Sequence, residues 1–309
     1  SANLILGQSY LAEGKADGEL MAFEKAYRMG FDRNVSESAT YNYAVAKSEG
    51  GRVPFGNSVA LFENFLREYP QSEYADRVRS YMISGYMTDN DYQSALKLID
   101  AMNRPTPEAN AARQRALFAL GTREYSSGRL TEALDRFRRA ASISGADRSI
   151  ARQSLLWEGI CQYDLERYDA AVRSLEAYLK DARRGDPNTV IARYNLGYAR
   201  FSQADYKAAL TDFRDVIAAR PDKRMLADAY NRAADCLYYG SDFAGAADAY
   251  DKAFALNPEA GDYALYQKAV MSGLQRNHKQ KIELISDLCR RYPTSSLIPA
   301  AMLEQADAY

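Results

Sequence analysis

The chain has 309 residues, and its 40 Lys and Arg against 41 Asp and Glu leave a net charge of −1, which gives no bulk attraction to nucleic acid or to an anionic membrane. Apolar residues make up 47% and charged residues 26%, which excludes a disordered chain, and no apolar run is long enough to span a bilayer. A single His and three widely spaced Cys, at 161, 236 and 289, exclude a clustered zinc site and a disulfide framework, and any catalytic triad would have to use His278.

Few β-branched residues and many alanines favour helix throughout. The helices are expected in pairs, repeating along the whole chain. The first pair is marked by Gly7, Tyr10, Gly14, Phe23 and Ala26, with Glu19 where later pairs have a small residue, so this pair is expected to be splayed or atypically packed. From there a mostly small position recurs at Ser58, Ala95, Ala133, Ala171, Ala209, Ala246 and, less well, Lys281, at intervals of 37, 38, 38, 38, 37 and 35. Three residues before each stands Phe55, Tyr92, Leu130, Tyr168, Tyr206, Phe243 or His278; four after stands Phe62, Ile99, Phe137, Leu175, Phe213, Tyr250 or Ile285. Offsets of 3 and 4 share one helical face, so each unit contains an amphipathic second helix. Twelve residues upstream of the small position lie Ala46, Ile83, Gly121, Gly159, Gly197, Ala234 and Ala269, mostly small residues that predict close approach of the two helices of a pair.

Turn signals fall between the two series at Gly50-Gly51-Arg52, Asp89-Asn90-Asp91, Ser126-Ser127-Gly128 and Tyr239-Gly240-Ser241-Asp242. Units close at Tyr69-Pro70, Gly185-Asp186-Pro187, Arg220-Pro221, Asn257-Pro258 and Tyr292-Pro293, where proline forbids continuation of the second helix. The expected units are 1–37, 38–75, 76–113, 114–151, 152–189, 190–226, 227–261 and 262–295, followed by a partial unit over 296–309. Together they form one solenoid domain spanning 1–309.

The pattern Leu196-Gly197, Tyr206, Ala209, Phe213 and Pro221 resembles the tetratricopeptide repeat. So do Leu120-Gly121 with Ala133, Phe137 and Ala140, and Ala246, Tyr250, Ala253 and Pro258. The period departs from the family's usual 34, with extra residues after the second helix, as in Ser142-Ile143-Ser144-Gly145-Ala146-Asp147. The resemblance implies an all-α, right-handed α-α superhelix of about eight helix pairs plus a final helix. First helices would line its concave side. The chain opens on Leu4-Ile5-Leu6 and stops at Tyr309 as a ninth unit begins, which is what a segment of a longer protein would show.

The geometry of that family places Phe118, Tyr125, Trp157, Tyr163, Tyr194, Tyr198, Phe201, Tyr238, Tyr239, Tyr263 and Tyr266 toward the groove. Aromatic rings bury large area at low entropic cost, so such a groove suits an extended peptide, an inserted helix or a stacked sugar. The competing reading is that single rings pack between neighbouring helices. Some family members grip acidic C-terminal peptides with a clamp of Lys, Asn and Arg. Here Asn195 and Arg232 match, but Leu156, Ile160 and Asp228 stand at other clamp positions, so no clamp is expected. Basic runs at Arg136, Arg138, Arg139 and Arg183-Arg184 are interleaved with Asp135, Asp181 and Asp186 and read as solvated faces, with no nucleic-acid role. His278 is expected to substitute for the packing ring of its unit, and the three cysteines are expected to be small buried hydrophobes.

These readings lead to a scaffold without enzymatic activity, with no catalytic residue, cofactor or metal, whose partner is a protein or peptide. The alternatives are a carbohydrate or peptidoglycan module that uses the aromatic platforms, and a purely architectural or self-associating solenoid. Tyr69-Pro70-Gln71-Ser72 and Tyr292-Pro293-Thr294-Ser295 resemble terminators common in outer-membrane assembly lipoproteins and periplasmic cell-division coordinators, which implies a bacterial envelope setting.

Overall fold

A computed structural model of the chain describes residues 2–30, 33–49, 56–182 and 185–308. All regular structure in it is helical. The expected turn at Gly50-Gly51-Arg52, the ring at Phe55 and the Arg183-Arg184 run lie outside the described residues.

The contacts divide the chain into two compact units, one of residues 1–126 and 139–151, the other of residues 127–138 and 152–309. The first holds α1 (Ala2–Ala12), α2 (Ala16–Met29), α3 (Arg33–Glu49), α4 (Gly56–Glu68), α5 (Ala75–Thr88), α6 (Tyr92–Asp100) and α7 (Pro107–Ser126). Helix α8 (Leu130–Ser142) is shared between the two. The second continues with α9 (Arg148–Asp164), α10 (Tyr168–Lys180), α11 (Asn188–Ser202), α12 (Tyr206–Ala219), α13 (Lys223–Tyr239), α14 (Phe243–Leu256), α15 (Asp262–Leu274), α16 (His278–Arg291) and α17 (Ile298–Ala306).

Where the series has glycine, the pair packs through it. A Cβ added at Gly159 would lie 2.6 Å from Leu175 Cγ, and one at Gly197 would lie 2.9 Å from the Phe213 ring. Those two side chains are the large residues sixteen positions downstream, so the first helix is pressed onto the second where the repeat has its small residue. The first pair keeps this contact, since a Cβ at Gly7 would strike the buried Phe23 ring at 2.4 Å. The expected splaying of α1 from α2 is therefore corrected: half-buried Glu19 is accommodated beside the Gly7–Phe23 contact without separating the helices.

The turns within pairs share one geometry. Asn90, Glu166, Ala204, Ser241 and Arg276 all have φ near +60°, and Gly14 and Gly128 occupy the same place. The next residue donates its amide five residues back: Asp91 to Tyr86, Arg167 to Gln162, Asp205 to Arg200, Asp242 to Leu237 and Asn277 to Ser272, at 2.8–3.0 Å. This left-handed stop closes the first helix, and in four pairs the same residue caps the second. Asp91, Asp205, Asp242 and Asn277 accept from the amides of Ser94, Ala208, Gly245 and Gln280.

Two positions depart from the repeat. His278 is exposed at the start of α16, so the expectation that it replaces a packing ring does not hold. Lys281, at the small position, is buried because Gly273 leaves room for its stem and Glu304 on α17 receives its ammonium at 2.5 Å.

Candidate functional site

In the second unit the first helices α9, α11, α13 and α15 carry most of the expected aromatic set. The structure brings Tyr194, Tyr198 and Tyr263 into one polar seam centred on α13. Tyr194 and Tyr198 donate their hydroxyls to Asp228 Oδ2 at 2.7 and 2.5 Å. One turn on, Arg232 places Nη1 2.7 Å from Asp235 Oδ2, with Nε 3.9 Å from Asp228 Oδ1. Asp235 Oδ1 accepts from Tyr250 at 2.6 Å and from Tyr263 at 2.7 Å, and the Arg232 guanidinium lies 5.0 Å from the Tyr263 ring centre. Asp228, Arg232 and Asp235 recur at helical spacings of 4 and 3, so one face of α13 ties α11 to α15.

Burial governs the electrostatics of this seam. It pushes the Tyr194 hydroxyl up to about 12, and Tyr198, Tyr250 and Tyr263 are raised too, each next to an aspartate that disfavours phenolate. Burial also raises the Asp235 carboxyl, which Arg232 and the two tyrosine donors oppose. The tyrosines stay protonated as donors, and the aspartates are engaged as acceptors.

The remaining rings are distributed more simply. Trp157 stacks on buried Phe137 at 5.8 Å, and Tyr163 meets Tyr198 edge-on at 6.2 Å. Tyr266 packs half-buried against the cluster of Leu265, Ile285 and Leu288. At the turns that end α11 and α13, Tyr239 lies flat on Tyr206 at 4.0 Å with 5° between planes, and Phe201 meets both edge-on. Tyr238 leans on Tyr239 at 5.3 Å. Tyr239 is 53% exposed, whereas the other ten expected groove aromatics are half-buried. In the first unit, Phe118 packs against the Leu117–Leu120 cluster and Tyr125 is half-buried.

The first unit contains a groove that pattern reading did not single out. Helix α6 has 9 residues where the other second helices have 13 or 14, and the segment Asn103-Arg104-Pro105-Thr106-Pro107 carries the chain into a 20-residue α7. Thr106 caps α7 by accepting from the amide of Ala109, with Pro107 at the first helical position. Between α5 and the start of α7 lies a cavity of about 560 Å³ with Ile83, Met87 and Tyr92 at its apolar side and Ser80, Ser84 and Thr88 along one face of α5. Two unmatched prolines near the end of a second helix were the signal available in the sequence.

Residues 156–224 match the model of the tetratricopeptide repeat. Over that stretch the chain resembles the tetratricopeptide repeat. No curated protein matches the sequence. Among solved structures, MamA (residue 41 to the end) from Desulfovibrio magneticus RS-1 is 23% identical with a TM-score of 0.52, over 60% of this chain and 97% of MamA. YrrB, described as a tetratricopeptide-repeat protein with an unusual peptide-binding site, is 17% identical with a TM-score of 0.52, over 61% of this chain and 91% of YrrB. At these identities the likeness is one of fold: an all-α superhelical repeat. No described helix is long and apolar enough to cross a membrane.

Proposed function

We propose that this repeat protein is a scaffold without enzymatic activity that holds a peptide or protein segment against its first helices, with the rings of α11 and α13 as the contact platform. The carrying observation is Tyr239, more than half exposed yet held flat on Tyr206 and flanked by Phe201 and Tyr238. An exposed ring already immobilised by its neighbours loses little entropy on binding, which is the property of an interface anchor. The peptide-binding site ascribed to YrrB supports the same reading. Sugar stacking is less well supported, because Asp228 and Asp235, the carboxylates beside the rings, already accept four tyrosine hydroxyls. The terminators at 69–72 and 292–295 support placing the scaffold in a bacterial envelope.

Selection of peptides on the immobilised chain, followed by titration of the winners against Tyr239→Ala, tests this function. The expected result is a loss of about 2 kcal/mol or more of binding, well above the roughly 1 kcal/mol of folding stability that the lost ring contacts should cost. Failure to select any peptide, or unchanged affinity in the variant, overturns it.

A further inference from the structure

We propose that the cavity enclosed by α13, the end of α14 and the start of α15 binds a free α-amino acid with a small side chain. The cavity holds about 190 Å³, walled by the methyl groups of Ala227, Ala253 and Ala264, with Arg224, Asp228 and Asn231 among its polar lining. At about 30 Å³ for each molecule of liquid water, that space takes roughly six non-hydrogen atoms, the size of glycine, alanine or serine. The site goes beyond the peptide platform: Arg224 stands fifteen residues before Tyr239 on the same helix, about 22 Å along its axis.

Charge assigns the ligand's first group. Asp228 and Asp235 share one guanidinium, Arg232, whose Nη1 sits 2.7 Å from Asp235 Oδ2. The seam is left with one negative charge in a partly buried place, and a cation beside Asp228 balances it. Asp228 Oδ2 already accepts the Tyr194 and Tyr198 hydroxyls, while Oδ1 lies 3.9 Å from Arg232 Nε, beyond hydrogen-bond reach. Asn231, three residues on along the same helix, buries its Oδ1 without a donor. A buried acceptor left unpaired costs free energy until a donor reaches it. An ammonium carries three N–H groups, enough for both oxygens.

Arg224 assigns the second group. It is exposed, lines the cavity one turn before Asp228, and pairs with no carboxylate among the described residues. A ligand whose ammonium and carboxylate sit on one carbon fits between the two, its carboxylate received by two N–H groups of the guanidinium. The alanine methyls leave room for a hydrogen, a methyl or a hydroxymethyl side chain, and an aromatic ring would strike them.

The test is saturation-transfer difference NMR on the full chain with L-alanine, alaninamide, propionate, L-phenylalanine and trialanine. L-alanine is expected to show saturable transfer. Alaninamide, which lacks the carboxylate, and propionate, which lacks the ammonium, should each bind about tenfold or more weaker, the loss of one charge-assisted contact, and L-phenylalanine should not bind. Arg224→Ala should weaken L-alanine about tenfold and leave alaninamide as it was, whereas Asn231→Leu should weaken both. Absence of saturable transfer to L-alanine, equal binding of alanine, alaninamide and propionate, or an R224A chain that binds L-alanine as before overturns the proposal. Trialanine bound as tightly as alanine also overturns it, because the site would then take a chain terminus. Both variants leave Tyr239 untouched, so peptides selected on the aromatic platform should bind them normally; failure of this site is thereby told apart from failure of the scaffold function.

Discussion

At the scale of single residues, burial sets the chemistry of the cysteines. Cys161 and Cys236 are buried, Cys289 is half-buried, and the first two thiols are pushed up to about 12 by desolvation, with the charges of Asp164 and Asp235 raising them further. Reaction with alkylating agents needs the thiolate and access to it. Mass spectrometry after iodoacetamide treatment of the native protein at about pH 8 should find Cys289 modified first, with Cys161 and Cys236 protected until the protein is unfolded. Rapid labelling of Cys236 in the native state would show that α13 does not pack as described. The same scale applies to Tyr198. As a groove ring it should be nearly silent in folding, but its hydroxyl holds Asp228 and its ring meets Phe213 edge-on at 5.4 Å, so its truncation should act on the fold.

At the scale of elements, the stop between paired helices carries a cost that the repeat tolerates. A non-glycine residue in the left-handed region is strained by roughly 1–2 kcal/mol, and Ala204, with φ of 60°, has no side-chain hydrogen bond to offset it. Glycine relieves that strain while adding unfolded-state entropy worth about 0.5–1 kcal/mol. Ala204→Gly should therefore raise stability by up to about 1 kcal/mol in urea melts, and a loss would show that the turn conformation is wrong. The seam on α13 behaves oppositely. Arg232→Ala leaves the Asp235 carboxylate buried with only tyrosine donors, and should cost about 3 kcal/mol, the lower end for a broken buried pair because the guanidinium is partly solvated. The native Asp235 pKa already lies above its unfolded value, and removing Arg232 raises it further. Between those two values the native state holds the extra proton, so stability falls as pH rises through that window. The cost of Arg232→Ala should be full at neutral pH and shrink on acidification toward about pH 4. A cost independent of pH would mean that Asp235 is not the group left exposed to desolvation.

At the scale of the whole molecule, a repeat array has no central core, and each pair depends chiefly on its neighbours. Gly159→Ala puts a Cβ 2.6 Å from Leu175 Cγ and 3.3 Å from the Leu175 backbone nitrogen, a contact that a rotamer change cannot fully relieve. The expected loss is about 1–3 kcal/mol, offset in part by the helix preference of alanine over glycine. Hydrogen exchange should show the loss of protection concentrated in α9 to α12 and fading toward α15 to α17. Uniform loss across the chain would indicate one cooperative unit in place of coupled repeats.

The pairs, their register and their terminators were legible in the sequence because each depends on residues within one unit. A proline stops a helix locally, and a glycine sixteen residues before a large side chain marks the same contact at Gly7–Phe23, Gly159–Leu175 and Gly197–Phe213. The αL stops were legible only in part, since Glu166, Ala204 and Arg276 hold the conformation without the usual residue type. How the aromatics share their hydroxyls and ring faces was decided by tertiary structure alone. Tyr194 and Tyr198 give their hydroxyls to Asp228, 34 and 30 residues away, whereas Tyr239 rests on Tyr206 and is more than half exposed. The α5–α7 groove likewise lies between helices of successive pairs, beside the shortened α6, a question of packing between pairs that no periodicity within one pair encodes.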